Sequence, residues 1–446
     1  MVAVAIPAGP KGGLVMGNMR EFNRDTLGFI ERCAREFGDI VLTRFLYVPA
    51  LFLFNPDHIE YVLASGSKNF IKAESLRSPF FSRLVGNGLV TSEGDFWRRQ
   101  RRLAQPAFHR DRVNAYGETM VAFTERMLEG WRGGQTLDVH DEMMRLTQAI
   151  VVKTLFSADV SGEADRVGEA LRVIVQPFAS QATLKWILDN RLPTPGHMRF
   201  SRAVREVDSV VYRFIAERRA SGEDTGDLLS MLLRAQDEDG SVMTDKQLRD
   251  EVMTLFLAGH ETTALVLTWA WHLLALNPEA EEKLAAELEE VLGGRAPTVE
   301  DLPRLRYCEW VVKESMRLYP PAYAVGREAV RDCEVGGYRI PKGMQIFAFQ
   351  WIVQRDARWY DEPESFRPER WGEDAASRLP RYAYFPFGGG PRQCIGNAFA
   401  LMETVLVLAT IAQRFRLRHA PGHTVELLPA MSLRPKSGVL VKLEKR

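Results

Sequence analysis

Phe387-Gly388-Gly389-Gly390-Pro391-Arg392-Gln393-Cys394-Ile395-Gly396 presents one cysteine on a glycine-rich turn, directly before an apolar run from Asn397 to Phe415. The run reads as a helix, so a thiolate at Cys394 has the positive end of a helix behind it. First-turn N–H groups can then point at the sulfur. Gly388, Gly389, Gly390 and Gly396 let the backbone approach a large flat ligand. Arg392 adds a cation suited to an anionic group on that ligand. With no second sulfur or histidine nearby, Cys394 makes a poor zinc site, because zinc wants four ligands. As a fifth ligand to haem iron it suffices, since a porphyrin supplies the equatorial positions. The plainer alternative is a buried structural cysteine on a glycine loop.

The whole chain bounds this reading. Its composition is 46% hydrophobic, 26% charged and 10% aromatic over 446 residues, enough for a large core. Lys+Arg and Asp+Glu are both 58, so no global field favours nucleic acid or an anionic membrane. The four cysteines (Cys33, Cys308, Cys333 and Cys394) are scattered, which fits a reducing cytosol and a cytoplasmic protein. Met1 to Pro7 lacks the basic region and apolar length of a signal peptide. No uninterrupted apolar stretch reaches about 18 residues, so no membrane span is expected.

Pro7 to Asn18 reads as an irregular segment. Val41 to Phe45 and Leu51 to Phe54, parted by Pro49, suggest a small hairpin. From about Asp95 to Ser315 the pattern is dominantly helical, with a long stretch opened by Thr244-Asp245 and stopped at Asn277-Pro278. Amphipathic helices are expected over Glu279–Leu292 and Cys308–Leu318. A strand-rich stretch follows from Tyr323 to Arg370, and strand-like runs lie around Pro429 to Leu443. The expected class is mainly α with small β-sheets, in one unit.

Three further motifs accompany the cysteine loop. Ala258-Gly259-His260-Glu261-Thr262-Thr263 puts a glycine inside the long helix, at a cost of about 1 kcal/mol relative to alanine. A bulge there would free a carbonyl beside Glu261 and Thr262 and form a polar notch for dioxygen and water. An acid beside an alcohol suits proton delivery. Otherwise the threonines satisfy helix carbonyls and the glutamate is solvated. Glu314-Ser315-Met316-Arg317 places opposite charges on one helical face. Alone, such a pair is usually a surface contact of under about 1 kcal/mol. Asp95 to Arg102 puts Trp97 and Arg101 on one side of a helix. Its other arginines read as solvated, and nothing else in the chain supports nucleic-acid binding.

The spacing Phe-x-x-Gly-x-x-x-Cys-x-Gly, together with these motifs and Phe366-Arg367-Pro368-Glu369-Arg370-Trp371, resembles the cytochrome P450 family from roughly Phe29 to the C-terminus. The resemblance implies a helix-rich single domain over residues 1–446, irregular over 1–20, with haem b buried between the long central helix and the helix after Cys394. It makes Cys394 the thiolate ligand to iron, Thr262 the oxygen-activating hydroxyl and Glu261 the acid. Gly259 and Gly396 fall beside the cofactor. Trp97, Arg101, Arg327 and Arg392 fall to its propionates, and Phe387 packs near haem and sulfur. Glu314, Arg317 and Arg370 become a structural triad locking the cysteine loop. His260 is a bystander, and His109 could face haem or solvent.

The implied function is a haem-thiolate monooxygenase that inserts one atom of O2 into a hydrophobic substrate by hydroxylation or epoxidation. The alternatives are a peroxygenase or isomerase, or a haem-binding sensor or carrier without turnover. Too little chain follows Cys394 for a fused reductase, so electrons are expected from a separate ferredoxin or flavodoxin, with NAD(P)H acting only through its reductase. Arg98, Arg99, Arg102, Arg110 and Arg112 form a local cationic face for such an acidic donor. Substrate-lining segments are expected at Ser78–Thr91, Val175–Lys185, Leu255–Thr262, Ala322–Val325 and Met431–Leu433. They are mostly apolar, so a fatty acid, terpene, steroid or polyketide-like molecule fits, and the motif wording leans toward the fatty-acid branch.

Overall fold

The computed structural model describes residues 6–157, 170, 173–174, 194–372 and 378–446. Its first elements are α1 (Met19–Arg24), α2 (Thr26–Phe37), β1 (Ile40–Phe45), β2 (Val48–Leu53), α3 (Pro56–Glu60) and β3 (Phe70–Lys72). A helical stretch follows: α4 (Pro79–Val85), α5 (Gly94–Ala104), α6 (Arg110–Asn114), α7 (Gly117–Glu129) and, after β4 (Thr136–Asp138), α8 (Val139–Phe156). Next come α9 (Pro195–Ser221), α10 (Leu228–Arg234), α11 (Asp245–Leu276), α12 (Pro278–Leu292) and α13 (Arg306–Leu318). Strands β5 (Val325–Ala329), β6 (Cys333–Val335), β7 (Tyr338–Ile340) and β8 (Gln345–Ala348) precede α14 (Gln350–Val353). The chain closes with α15 (Asn397–Ala412), β9 (Phe415–His419), β10 (Leu427–Pro429), β11 (Leu433–Pro435) and β12 (Leu440–Lys445).

Helix α11 crosses the middle of the molecule. It starts where expected because Thr244 and Gln247 form a reciprocal capping box. It ends at Asn277 because Pro278, lacking an N–H, opens the next helix instead. Helix α15 is apolar nearly all round, so it is buried on almost every side from Phe399 to Ala412. Both helices belong to one large core with α7, α8, α12 and α13.

Two sheets flank the helices: β1-β2-β8-β5-β3, which has apolar clusters of its own, and β4-β12-β9, whose Leu137, Leu417, Val441 and Leu443 join the large core. Pro49 lies inside β2, opposite Arg44, and the hairpin turns at Leu46 with φ 57. The proline is tolerated because pairing with β8 begins only at Ala50. The strand-rich expectation for Tyr323–Arg370 holds only to Ala348; beyond it the chain runs through α14 and loops. Strands β3 and β4 were not legible, each being three residues long.

The Glu314–Arg317–Arg370 triad is present. Arg317 Nε and Nη2 each donate to Glu314 at 2.9 Å, and Arg370 Nε donates at 2.9 Å. Two donors unforeseen from the sequence complete the set: Trp371 Nε1 at 2.9 Å and the Arg367 N–H at 3.0 Å. Glu314 and Arg317 are 0% exposed, which separates them from a surface pair. Arg317 also donates to the carbonyls of Gln354, Pro363 and Ser365. The hold on the cysteine loop is indirect: Tyr360 donates to the Ala383 carbonyl, the Phe385 N–H to Gln354 Oε1, and Tyr384 to the Lys313 carbonyl. Removing one partner from a buried pair strands the other at about 3–5 kcal/mol. Glu314→Ala should therefore cut soluble yield sharply, whereas Trp371→Phe should cost only about 1–3 kcal/mol. Thermal unfolding checks both, and wild-type values for Glu314→Ala would refute the role given to the network.

Candidate active site

The cysteine loop is tied at its base by the Cys394 N–H, which donates to the Phe387 carbonyl at 3.0 Å. Two of its glycines answer to the protein itself. A side chain at Gly390, with φ 64, would strike the Leu63 carbonyl, and one at Gly389 would strike the Tyr382 ring. Gly396 is the N-cap of α15. Cys394 lies deep in the protein, and its exposed surface opens onto a cavity of about 340 Å³. Burial raises the thiol above its ordinary value, against the pull of the Gly396 N–H, Arg101 and Lys72. The helix end alone does not make the thiolate; a bound metal cation would.

Across the cavity from the loop stands α11, with Ala258, Gly259, Thr262 and Thr263 in the wall. The expected bulge at Gly259 does not occur, and α11 is α-helical throughout. Thr262 Oγ1 instead donates to the Ala258 carbonyl at 2.6 Å, the backbone-satisfying alternative. The glycine serves packing, since a Cβ there would come within 3.3 Å of Val151 Cγ2 on α8. Glu261 is not in the cavity wall. Its Oε1 accepts from Ser432 and Arg434 on the C-terminal hairpin. Burial would raise this carboxyl, but Arg434 and Ser432 outweigh it and hold it below the usual range. His260 is buried and stacks on Phe256 at 5.8 Å, and burial pulls it down to about 4. His109 turns outward, 3.8 Å from the Asp111 carboxylate, with both side chains exposed.

Cations gather at the other end of the cavity. Arg327, Arg392 and Lys72 all line it. Lys72, which sequence reasoning missed, is opposite Arg327 in the β3–β5 register. Only strand pairing brings these two together, so no local motif could announce the lysine. Burial and then the charges of Arg327 and Arg392 push Lys72 down to about 7, and burial brings Arg327 to about 10. Arg392 donates to the Ser92 carbonyl and to Glu93, and its guanidinium lies 3.7 Å over the Trp97 ring. Arg101 donates to the Gln393 carbonyl at 3.0 Å and so braces the cysteine loop. Among the described residues neither Lys72 nor Arg327 has a carboxylate in an ion pair. Buried Arg327 and partly buried Lys72 and Arg392, against the single carboxylate of Glu93, suit a ligand bearing two carboxylates.

The remaining wall is mostly apolar. Leu89, Val90, Leu255, Ala322 and Val325 lie in expected segments; Val151, Thr154, Leu155 and Leu228 were not anticipated. Met431–Leu433 does not line the cavity: Leu433 is fully buried in a separate cluster with Leu27 and Trp351. The expected lining at Val175–Lys185, with Phe178, lies outside the described residues.

The family model for cytochrome P450 matches residues 7–443. The chain belongs to the cytochrome P450 family. It is 42% identical over 353 residues to cyclooctatin synthase of Streptomyces melanosporofaciens, covering 78% of this chain and 77% of that protein. It is 41% identical over 345 residues to cyclooctat-9-en-7-ol 5-monooxygenase of the same organism, covering 77% and 75%. It is 35% identical over 419 residues to pentalenene oxygenase of Streptomyces avermitilis, covering 92% and 91%. As a member of this family the chain is an oxygen-incorporating oxidoreductase that uses haem, iron and dioxygen.

The residues present fit that haem. Cys394 offers a single sulfur at the N-terminus of α15, and Lys72, Arg327 and Arg392 offer cations for two propionates. Cys394→Ala should abolish the red-shifted Soret band of the reduced, carbon monoxide-bound protein, while Cys33, Cys308 and Cys333 should each be replaceable. An unchanged spectrum would overturn the ligand assignment. Lys72→Met should leave that band in place but speed haem loss to apomyoglobin; unchanged transfer would remove Lys72 from the propionate set.

Proposed function

We propose that this P450 hydroxylates a terpene, taking electrons from a separate acidic ferredoxin or flavodoxin in the cytoplasm. The observation that carries the reading is the meeting of Cys394 and Thr262 on one mainly apolar cavity. The named relatives favour a terpene over the fatty acid suggested by the motif wording. Among the described residues no helix is long and apolar enough to cross a membrane.

Bound haem, ligated by Cys394, supplies the activation of dioxygen. The protein's part is placement and protons. Leu89, Val90, Val151, Leu155 and Leu255 exclude water and press an apolar skeleton toward the Thr262 side of the cavity. Thr262 Oγ1 keeps its own proton on the Ala258 carbonyl, leaving its lone pairs to order water in the cavity. We assign proton relay to this hydroxyl, which passes a proton on when its O–H turns from the Ala258 carbonyl toward the cavity. Glu261, fastened to Ser432 and Arg434, positions the helix behind Thr262 and reaches the cavity only if that pairing opens.

Difference spectra with terpenes, fatty acids and steroids test the substrate class. Terpenes should give the low- to high-spin shift at the lowest concentrations, and a clear preference for fatty acids or steroids would reject the reading. Thr262→Ala should retain haem and substrate affinity but divert most reducing equivalents to peroxide. Fully coupled product formation would deny the relay.

The donor face is narrower than the sequence suggested. Arg99 pairs with Asp237 at 2.9 Å, Arg102 pairs with the same carboxylate, and Arg98 pairs with Asp95. Arg110 and Arg112 on α6 are exposed. Opposite charge chiefly raises the on-rate, and the Debye length falls from about 10 Å at 0.1 M to about 3 Å at 1 M salt. First electron transfer should therefore slow with ionic strength and slow further in Arg110→Glu/Arg112→Glu. Rates indifferent to both would place docking elsewhere.

A further inference from the structure

The loop between α4 and α5 carries two residues of the cavity wall, Leu89 and Val90. It has no regular pairing of its own and is fastened to α11 by two consecutive acids. The Asn87 N–H donates to Asp250 Oδ2 at 2.9 Å, and the Leu89 N–H donates to Glu251 Oε2 at 3.0 Å. The fit at this joint is close. Gly86 has φ 59, and a Cβ on it would overlap the Asp250 carboxylate; a Cβ on Gly88 would overlap Thr254 Oγ1. Asp250 is held in turn by Lys246 at 2.7 Å and by Arg249 at 3.1 Å. Arg249 reaches on to Asp208 of α9 at 2.7 Å. One acidic step on the central helix thus joins the loop in the wall to a second helix above it. Both acids are buried, at 3% and 1% exposure, where an unneeded carboxylate would be costly.

We propose that Asp250 and Glu251 are positioning residues that latch loop 86–91 closed over the substrate cavity. The latch sets how firmly Leu89 and Val90 hold the substrate and how fast ligands pass. It acts through backbone N–H groups, so the identity of Asn87 and Leu89 matters less than their place in the loop. The proposal rests on the cavity being the substrate site.

Burial pushes the Glu251 carboxyl up to about 8, so glutamine, which keeps one oxygen, is its closest neutral match. The test uses haem-loaded wild type, Glu251→Ala and Glu251→Gln. Amide exchange is followed over residues 86–91. Ligand passage is followed with 4-phenylimidazole, whose arrival at iron shifts the Soret band whether or not a terpene is the substrate. Glu251→Ala should raise exchange at Leu89 about tenfold, the scale of one lost buried hydrogen bond, and speed both association and release of the probe. Glu251→Gln should return both toward wild type. With a bound terpene, Glu251→Ala should also raise KM more than it lowers kcat and broaden the product distribution.

Unchanged exchange at Leu89 in Glu251→Ala would overturn the latch. Faster exchange with unaltered probe kinetics would overturn its control of passage and leave a merely structural tie. Should Glu251→Ala fail to take up haem, Asn87→Pro removes the neighbouring donor from the loop side. Wild-type kinetics in that variant would equally overturn the proposal. If no terpene binds to wild type, the substrate class proposed above fails, while exchange and probe kinetics still decide the latch.

Discussion

One buried carboxylate joins α13 to the segment 367–371 and, through it, supports the approach to the cysteine loop. Glu314 accepts from both ends of the Arg317 fork, from Arg370, from the Trp371 indole and from the Arg367 N–H. A carboxylate out of water is costly unless its lone pairs are filled, and five donors fill them. Because the donors come from both α13 and the segment 367–371, the charge can be satisfied only when that segment is folded against the helix. Arg317 extends the constraint to three further carbonyls, and Tyr360, Gln354 and Tyr384 pass it to residues 383–385, just ahead of the cysteine loop. The loop that presents Cys394 is short of regular pairing. Its geometry is borrowed from this network and from the clash limits at Gly389 and Gly390.

The cavity above the loop is divided by polarity. Its α8, α10 and α11 sides are largely apolar, while Lys72, Arg327 and Arg392 converge near the sheet side. Burial, and then the like charges of Arg327 and Arg392, push Lys72 down to about 7, so the uncompensated cluster opposes folding. A dianionic ligand would relieve that opposition and so link its binding to the stability of the fold. The same division orients the two chemistries. The cations proposed to meet the propionates belong to β3, β5 and the cysteine loop, whereas Thr262 belongs to α11, and the apolar wall sits where a terpene is proposed to lie.

Glu261 shows how context reassigns a residue. Beside Thr262 in sequence it reads as half of an acid–alcohol pair. In the helix the two side chains point about 100° apart, and Glu261 lies on the side that packs against the C-terminal hairpin. Thr262 faces the cavity, and Glu261 meets Arg434 and Ser432, which arrive from the far end of the chain. A similar reassignment affects Arg99 and Arg102, whose charge is taken up by Asp237 from a loop more than a hundred residues away.

What the sequence by itself determined were the features written in local patterns. The cysteine on its glycine turn, the limits of α11 set by Thr244 and Pro278, and the Glu314–Arg317 spacing all follow from neighbours a few residues apart. These were enough for the mainly α class and for the family. Tertiary structure alone decided what depends on distant chain meeting. It brought Lys72 opposite Arg327, added Trp371 to Glu314, turned Glu261 away from the cavity and fastened Asn87 and Leu89 to Asp250 and Glu251. The physical reason is the same in each case. A backbone N–H or a lone charge carries no record in sequence of the partner that will satisfy it, and burial makes that partner obligatory.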